Sequence, residues 1–265
     1  MTFNGKKIKG VLCDISGTLT DWDGKEATPI QGSIDALKRI KAEGIPLRLV
    51  TNDTQQTRQG IVDSLTALGF DIQLEEIFPP ATAMAKLLKQ ENLRPHLLVN
   101  PNCVADFEGI NSSDEEPNCV VLGDAVDGFS YQNLNEAFQR LISTGGNLYS
   151  LGKSRFYRVG SELHLGVGTF AAGLEFAIGK DAIVLGKPAA EYFQTAWNDI
   201  GCKPTEAIMV GDDIISDVEG AQNCGIQGVL VRTGKYRLQD ENHPKISPDS
   251  KVDNLEEFVN ILLSL

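Results

Sequence analysis

Short apolar runs alternate with longer amphipathic stretches at both ends of the chain. Ile8–Asp14 (IKGVLCD) predicts a strand buried on both faces. Ser33–Gly44 (SIDALKRIKAEG), apolar at 34, 37 and 40 and closed by glycine, predicts a helix. Pro46–Asn52 (PLRLVTN) predicts the next strand and Thr57–Phe70 the next helix. The rhythm returns near the other end: strands over Ala182–Pro188, Ala207–Asp213 and Gly228–Gly234, and helices over Glu191–Gly201, Ser216–Gly225 and Asn254–Leu265. Such alternation predicts βαβ units and an α/β fold, a doubly wound Rossmann-like parallel sheet. Ligands of these sheets bind outside the carboxyl ends of the strands. Four of the predicted strands end there in polar residues: Asp14, Thr51–Asn52, Lys187 and Asp212–Asp213.

Residues 82–180 are patterned differently. They carry their own apolar runs (HLLV, CVVLG, NLYSL) and their own helical periods (YQNLNEAFQRLIS, FAAGLEFAI). This predicts an inserted α/β domain that divides the core into 1–81 and 181–265. Asn111–Asn118 (NSSDEEPN) reads as a polar surface loop and Ser130 as a helix N-cap.

Composition narrows the partners. The 265 residues hold 24 basic and 36 acidic side chains, a net charge of −12. An acidic chain without a basic cluster argues against nucleic acid, which needs a cationic footprint. A small phosphorylated substrate stays open, because a metal ion reverses the local sign. No apolar run reaches the ~18 residues of a membrane span, and no apolar signal core precedes the first strand. Five cysteines without a C-x-x-C spacing read as reduced thiols of a cytoplasmic protein, the nucleus being the second location. Three scattered histidines offer no zinc site.

The strand ends carry the candidate chemistry. Asp14, displayed before a turn at Gly17, can attack phosphorus, or it can cap that turn. In GDDIISDV (Gly211–Val218) the carboxylates of Asp212, Asp213 and Asp217 suit Mg²⁺, while Ser216 or Asp217 also reads as a helix cap. The hydroxyl and backbone N–H groups at Thr51–Asn52 can hold phosphoryl oxygens, or Thr51 can cap a helix. Lys187 can neutralise charge there or lie solvated. Phosphoryl transfer needs such a set: an in-line nucleophile, a metal and a cation.

DISGT, TN, GKP and GDDxxxD resemble, in order, the four motifs of the haloacid dehalogenase superfamily. The insertion resembles the larger α/β cap of its second cap class. Longer stretches, among them NPNCVADFEGI, FSYQNLNEAFQ and VRTGKYRLQDENHP, narrow the resemblance to one group of its phosphatases. The resemblance implies Asp14 as nucleophile, with Asp14, the Ser16 carbonyl and Asp212 as Mg²⁺ ligands. It implies Thr51 and Asn52 around the phosphoryl group, Lys187 as its neutralising cation, Asp213 and Asp217 behind the ligands, and a homodimer formed through the cap.

One position departs from the superfamily. Most members carry Asp two residues after the nucleophile, as general acid and base; here it is Ser16. General acid–base catalysis contributes ~10²–10⁴-fold, so the loss falls hardest on basic leaving groups. Phosphate, with a relevant pKa of about 6, and imidazole, near about 6.5, need little help. Inorganic pyrophosphate and phosphoramidates therefore fit this site better than alkyl phosphates, and the resemblance implies phospholysine and phosphohistidine, free or on a protein, as the phosphoramidates. The alternatives are a general phosphomonoesterase and a non-catalytic phospho-ligand scaffold. In the inserted domain, Lys153 and Arg155 of LGKSRFYRVG (Leu151–Gly160) can hold a second phosphate, with Tyr157 closing over it, or form an ordinary hairpin turn.

Overall fold

The computed structural model describes residues 2–3, 5–22, 26–110, 116–159 and 162–264. The chain forms two compact units: 1–51, 61–78 and 187–265 make the first, and 52–60 and 79–186 the second.

The first unit is built on six parallel strands in the spatial order Ser250–Val252, Gln227–Val231, Ala207–Gly211, Gly10–Asp14, Leu47–Val50 and Ile77–Phe78. The three strands from Gly10–Asp14 onward step to one edge, and those from Ala207–Gly211 onward step to the other. The direction reverses between Gly10–Asp14 and Ala207–Gly211, where Cys13 pairs with Val210. Their carboxyl ends feed loops that turn opposite ways, which opens a crevice where ligands bind in such sheets. The central strands are buried along their whole length, as their continuous apolar runs require. The Ser33–Ala42 helix turns Ala36, Leu37 and Ile40 inward, and the Leu255–Ser264 helix beside it buries Leu255, Phe258, Val259 and Leu262. This is the doubly wound α/β class that the sequence pattern predicts.

The second unit has its own parallel sheet, ordered Ile183–Val184, Leu148–Ser150, Cys119–Leu122 and Pro95–Leu98. The Tyr131–Thr144 helix starts at Ser130, whose hydroxyl accepts from the Asn133 N–H, and it ends at left-handed Gly145. Together with Val167–Ile178 it covers one apolar cluster. An antiparallel hairpin joins Phe156–Val159 to Glu162–Leu165.

Two expectations need correction. Ala182–Pro188 is not a core strand: only Ile183–Val184 is extended, and it pairs with Leu148–Ser150 in the second sheet. An apolar run specifies a buried strand but not which sheet receives it. The unit boundaries also differ from 81/82 and 180/181, and 52–60 groups with the second unit. There the Cys103 Sγ–H donates to the Thr54 and Gln56 carbonyls, Gln55 Nε2 donates to Asp124 Oδ2 at 2.7 Å, and the Arg58 N–H donates to Asp106. Five residues of the Asn111–Asn118 loop, Gly160 and the Tyr157 side chain lie outside the described residues.

Candidate active site

Asp14 ends its strand beside the crevice with only 6% of its surface exposed. Its Oδ1 accepts from the Ile15 N–H at 2.8 Å and from Lys187 Nζ at 2.6 Å. The loop that follows is closed by Gly17 N–H donating to the Thr20 carbonyl at 2.6 Å and Leu19 N–H to the Ile15 carbonyl at 2.8 Å. This turn leaves Ser16 exposed.

Lys187 does not stand on a core strand, yet it reaches the same point. Gly220 explains how: a Cβ there would lie 2.8 Å from Pro188 Cα, so the Lys187–Pro188 backbone packs directly on the segment after GDDIISD. The ammonium, its side chain 3% exposed, also contacts Asp217 Oδ1 at 2.8 Å and the Val50 carbonyl at 3.4 Å.

The expected Ser216–Gly225 helix is a π-helical turn, Ile214–Glu219, followed by a short α-helix, Gly220–Asn223. Such turns recur at functional sites because the extra residue re-aims side chains. Asp213 caps this one, its Oδ1 accepting from the Ile215 and Ser216 N–H groups at 3.0 Å each. The cap role that sequence allots to Ser216 or Asp217 thus belongs to Asp213. Asp217 turns back over the strand end, where its Oδ2 accepts from the Asp213 N–H and would overlap any Cβ at Gly211.

Asp212 lies in a cradle that sequence reading missed. Gly17 (φ +87°) and Gly234 (φ +58°) flank it, and a Cβ at either would come within 2.1 Å of Asp212 Oδ2. That oxygen accepts from the Lys235 N–H at 2.6 Å, while Oδ1 is buried without a hydrogen-bond partner. Asp14, Asp212 and Asp217 each offer an oxygen within 4.8 Å of the others. Three carboxylates and an orphaned oxygen fit a hard divalent cation such as Mg²⁺. Of the Mg²⁺ ligands expected, Asp14 and Asp212 belong to this cluster.

The electrostatics agree. Burial raises the Asp14 carboxyl above its ordinary value despite Lys187, and burial with the Asp217 charge pushes Asp212 up to about 6. Asp217 is raised by burial too, against the pull of Lys187. Lys187 keeps its proton, because the Asp14 and Asp217 charges outweigh its burial. One ammonium does not offset three buried carboxylates, so all three are shifted toward the protonated form.

Thr51 is buried at the end of Leu47–Val50, and its N–H donates to the Tyr192 hydroxyl at 3.2 Å. That N–H is therefore engaged, and Tyr192 is a further residue that sequence reading missed. Asn52 belongs to the second unit, beside Gly186. Lys153 and Arg155 are exposed in the second unit on the connection into the hairpin, where the Arg155 carbonyl accepts from Thr169 Oγ1 at 2.9 Å. Applying the strand-end rule to Gln227–Val231 as well would have pointed to Gly234 and Lys235.

Comparisons with known proteins give the chain its family. Residues 11–112 fit the model of the haloacid dehalogenase-like hydrolase family, and 184–258 fit a second model described as "HAD-hyrolase-like". The chain is 47% identical over 257 residues to the phospholysine phosphohistidine inorganic pyrophosphate phosphatase of Mus musculus, covering 97% of this chain and 94% of that protein. It is 44% identical over 243 residues to the haloacid dehalogenase-like hydrolase domain-containing protein 2 of Bos taurus, covering 92% and 90%. In fold it resembles the p-nitrophenyl phosphatase from Archaeoglobus fulgidus, with a TM-score of 0.85 at 21% identity over 96% of this chain and 99% of that one. The chain belongs to the haloacid dehalogenase-like hydrolase family.

Proposed function

We propose that the protein is a Mg²⁺-dependent phosphatase that hydrolyses inorganic pyrophosphate and phosphoramidates, phospholysine and phosphohistidine among them, through an aspartyl-phosphate on Asp14. The observation that carries this reading is Asp14 at the sheet's reversal point, held through one oxygen by Lys187 and clustered with Asp212 and Asp217. The names of its relatives support the substrates, and Ser16 in place of a general acid supports the choice of leaving group.

In the first step Asp14 Oδ2 forms a bond to phosphorus while Lys187 steadies Oδ1. The bond to the leaving atom breaks, and its electron pair departs on phosphate, or on an amine or imidazole that has taken a proton. Water then adds to phosphorus, and the P–O bond to Asp14 breaks to restore the carboxylate. When bound by Asp14, Asp212 and the Ser16 carbonyl, Mg²⁺ would supply positive charge for the phosphoryl oxygens. Thr51 and Asn52 hold that group in this reading, and Lys153 and Arg155 act on the leaving side. Asp213 and Asp217 keep the ligands in place.

A homodimer through the second unit belongs to the same proposal, supported by the exposed rings of Tyr131 and Phe176. A cytoplasmic location, with the nucleus as the alternative, is supported by five free cysteines. The test is phosphate release from pyrophosphate, phospholysine, phosphohistidine and several phosphomonoesters, with and without Mg²⁺. The first three should rank highest by kcat/KM, and both chelation and Asp14→Asn should abolish turnover. A profile led by phosphomonoesters would make the protein a general phosphomonoesterase, and activity surviving Asp14→Asn would remove the intermediate.

A further inference from the structure

Resting on that proposed function, we infer that Lys235 receives the departing group when it is an anion, and so sets the enzyme's preference for pyrophosphate over phosphoramidates.

The strand Gln227–Val231 runs into Arg232, Thr233, Gly234 and Lys235, part of a stretch that the four motifs leave without a role. It is tied at two points to the loop after Asp14 and at a third to Asp212. Thr233 Oγ1 donates to the Gly17 carbonyl, Gly234 lies so close that a Cβ would be 2.4 Å from Gly17 Cα, and the Lys235 N–H donates to Asp212 Oδ2 at 2.6 Å. Residue 235 therefore has a fixed origin beside the acidic cluster.

Its side chain is free by comparison. The ammonium lies 3.3 Å from Asp213 Oδ2, and the side chain is 70% exposed. Asp213 already accepts two backbone N–H groups through its other oxygen, so it keeps partners when Lys235 leaves. An ion pair whose ammonium is this exposed holds weakly. The ammonium can leave it for a better anion.

Lys187 and Lys235 thus differ in kind. Lys187 is sealed in, its side chain 3% exposed, and it is bound to Asp14 and Asp217. It can serve the phosphoryl group in transfer but cannot follow a group that departs. In-line displacement puts the leaving group on the side of phosphorus away from Asp14. Lys235, rooted at Asp212 and extended into solvent, is a lysine of the first unit suited to that side.

The chemistry makes the role selective. With pyrophosphate, the Asp14–phosphorus bond forms and the bond to the bridging oxygen breaks. That oxygen keeps the electron pair, and the departing phosphate takes its negative charge to the ammonium. With a phosphoramidate the departing amine or imidazole is neutral or cationic, and an ammonium gives it no help.

The test compares kcat/KM for pyrophosphate and phosphohistidine in the wild type, Lys235→Gln and Lys235→Arg. No side-chain substitution removes the main-chain bond to Asp212, so the variants isolate the ammonium. Lys235→Gln should lower the ratio of pyrophosphate to phosphohistidine turnover about tenfold, the scale of one charge-assisted hydrogen bond, and Lys235→Arg should restore most of it. Equal losses on both substrates, the signature of a residue that only steadies Asp212 and Asp213, would overturn the assignment while leaving the proposed function intact. A wild type that cleaves phosphohistidine but not pyrophosphate would overturn the substrate reading itself, and the role of Lys235 with it.

Discussion

Ser16 and Gly17 are neighbours with opposite constraints. Gly17 adopts φ +87° against the Asp212 carboxylate, where no Cβ fits. Ser16 is exposed on the same turn, whose hydrogen bonds are made by other residues. A carboxylate at position 16 would therefore meet no steric obstacle. Ser16→Asp should raise kcat/KM for alkyl phosphomonoesters more than for pyrophosphate, by a part of the ~10²–10⁴-fold that a general acid contributes. An equal rise on both, or no change on either, would end the leaving-group account. At this scale Asp14 and Asp212 were legible because each is a polar residue terminating an apolar run. The cradle of Gly17 and Gly234 was not, because it depends on two distant loops meeting over one side chain.

Elements, more than single residues, decide where Thr51 sits. The Ala190–Asp199 helix buries Tyr192 completely and sends its hydroxyl to the ends of two strands. It donates to the Phe78 carbonyl and accepts from the Thr51 N–H. Tyr192→Phe keeps the ring, which packs edge-on against Phe78 and Phe193, and removes only this tie. Losing the hydrogen bonds of this hydroxyl to buried backbone groups should cost about 1–3 kcal/mol of stability, read by denaturant unfolding. Turnover should fall with it if the end of Leu47–Val50 positions the phosphoryl group, and unchanged kinetics in a destabilised variant would detach Thr51 from catalysis. The helical period of 191–201 was plain in the sequence, but the hydroxyl's partners were not. The same holds for Ile183–Val184: its apolar character was visible, its sheet was not. Periodicity reports which side of an element is buried, and only tertiary packing reports against what.

Buried charge ties the site to the stability of the whole molecule. A carboxyl that binds its proton more tightly folded than unfolded contributes stability at low pH. That contribution is fully present below the ordinary value of 3.8 and is lost as pH rises through about 6 for Asp212, with Asp14 and Asp217 acting in the same direction. Asp213 has the opposite sign. Burial acts against its charge, but the Ser216 N–H, Lys235 and the Ile215 N–H hold its carboxyl below the usual value, so its contribution is lost as pH falls. The chelated protein should thus lose thermal stability between about pH 4 and pH 7, where the three buried acids must ionise side by side. A divalent cation bound to the ionised cluster stabilises the folded state by mass action, and it competes with the protons that the cluster retains in its absence. Saturating Mg²⁺ should therefore raise the melting temperature more at about pH 8 than at about pH 5, and Asp212→Asn should remove most of that difference. A Mg²⁺ shift of equal size at both pH values, or one that survives Asp212→Asn, would mean that the ion stabilises the fold from somewhere other than this cluster.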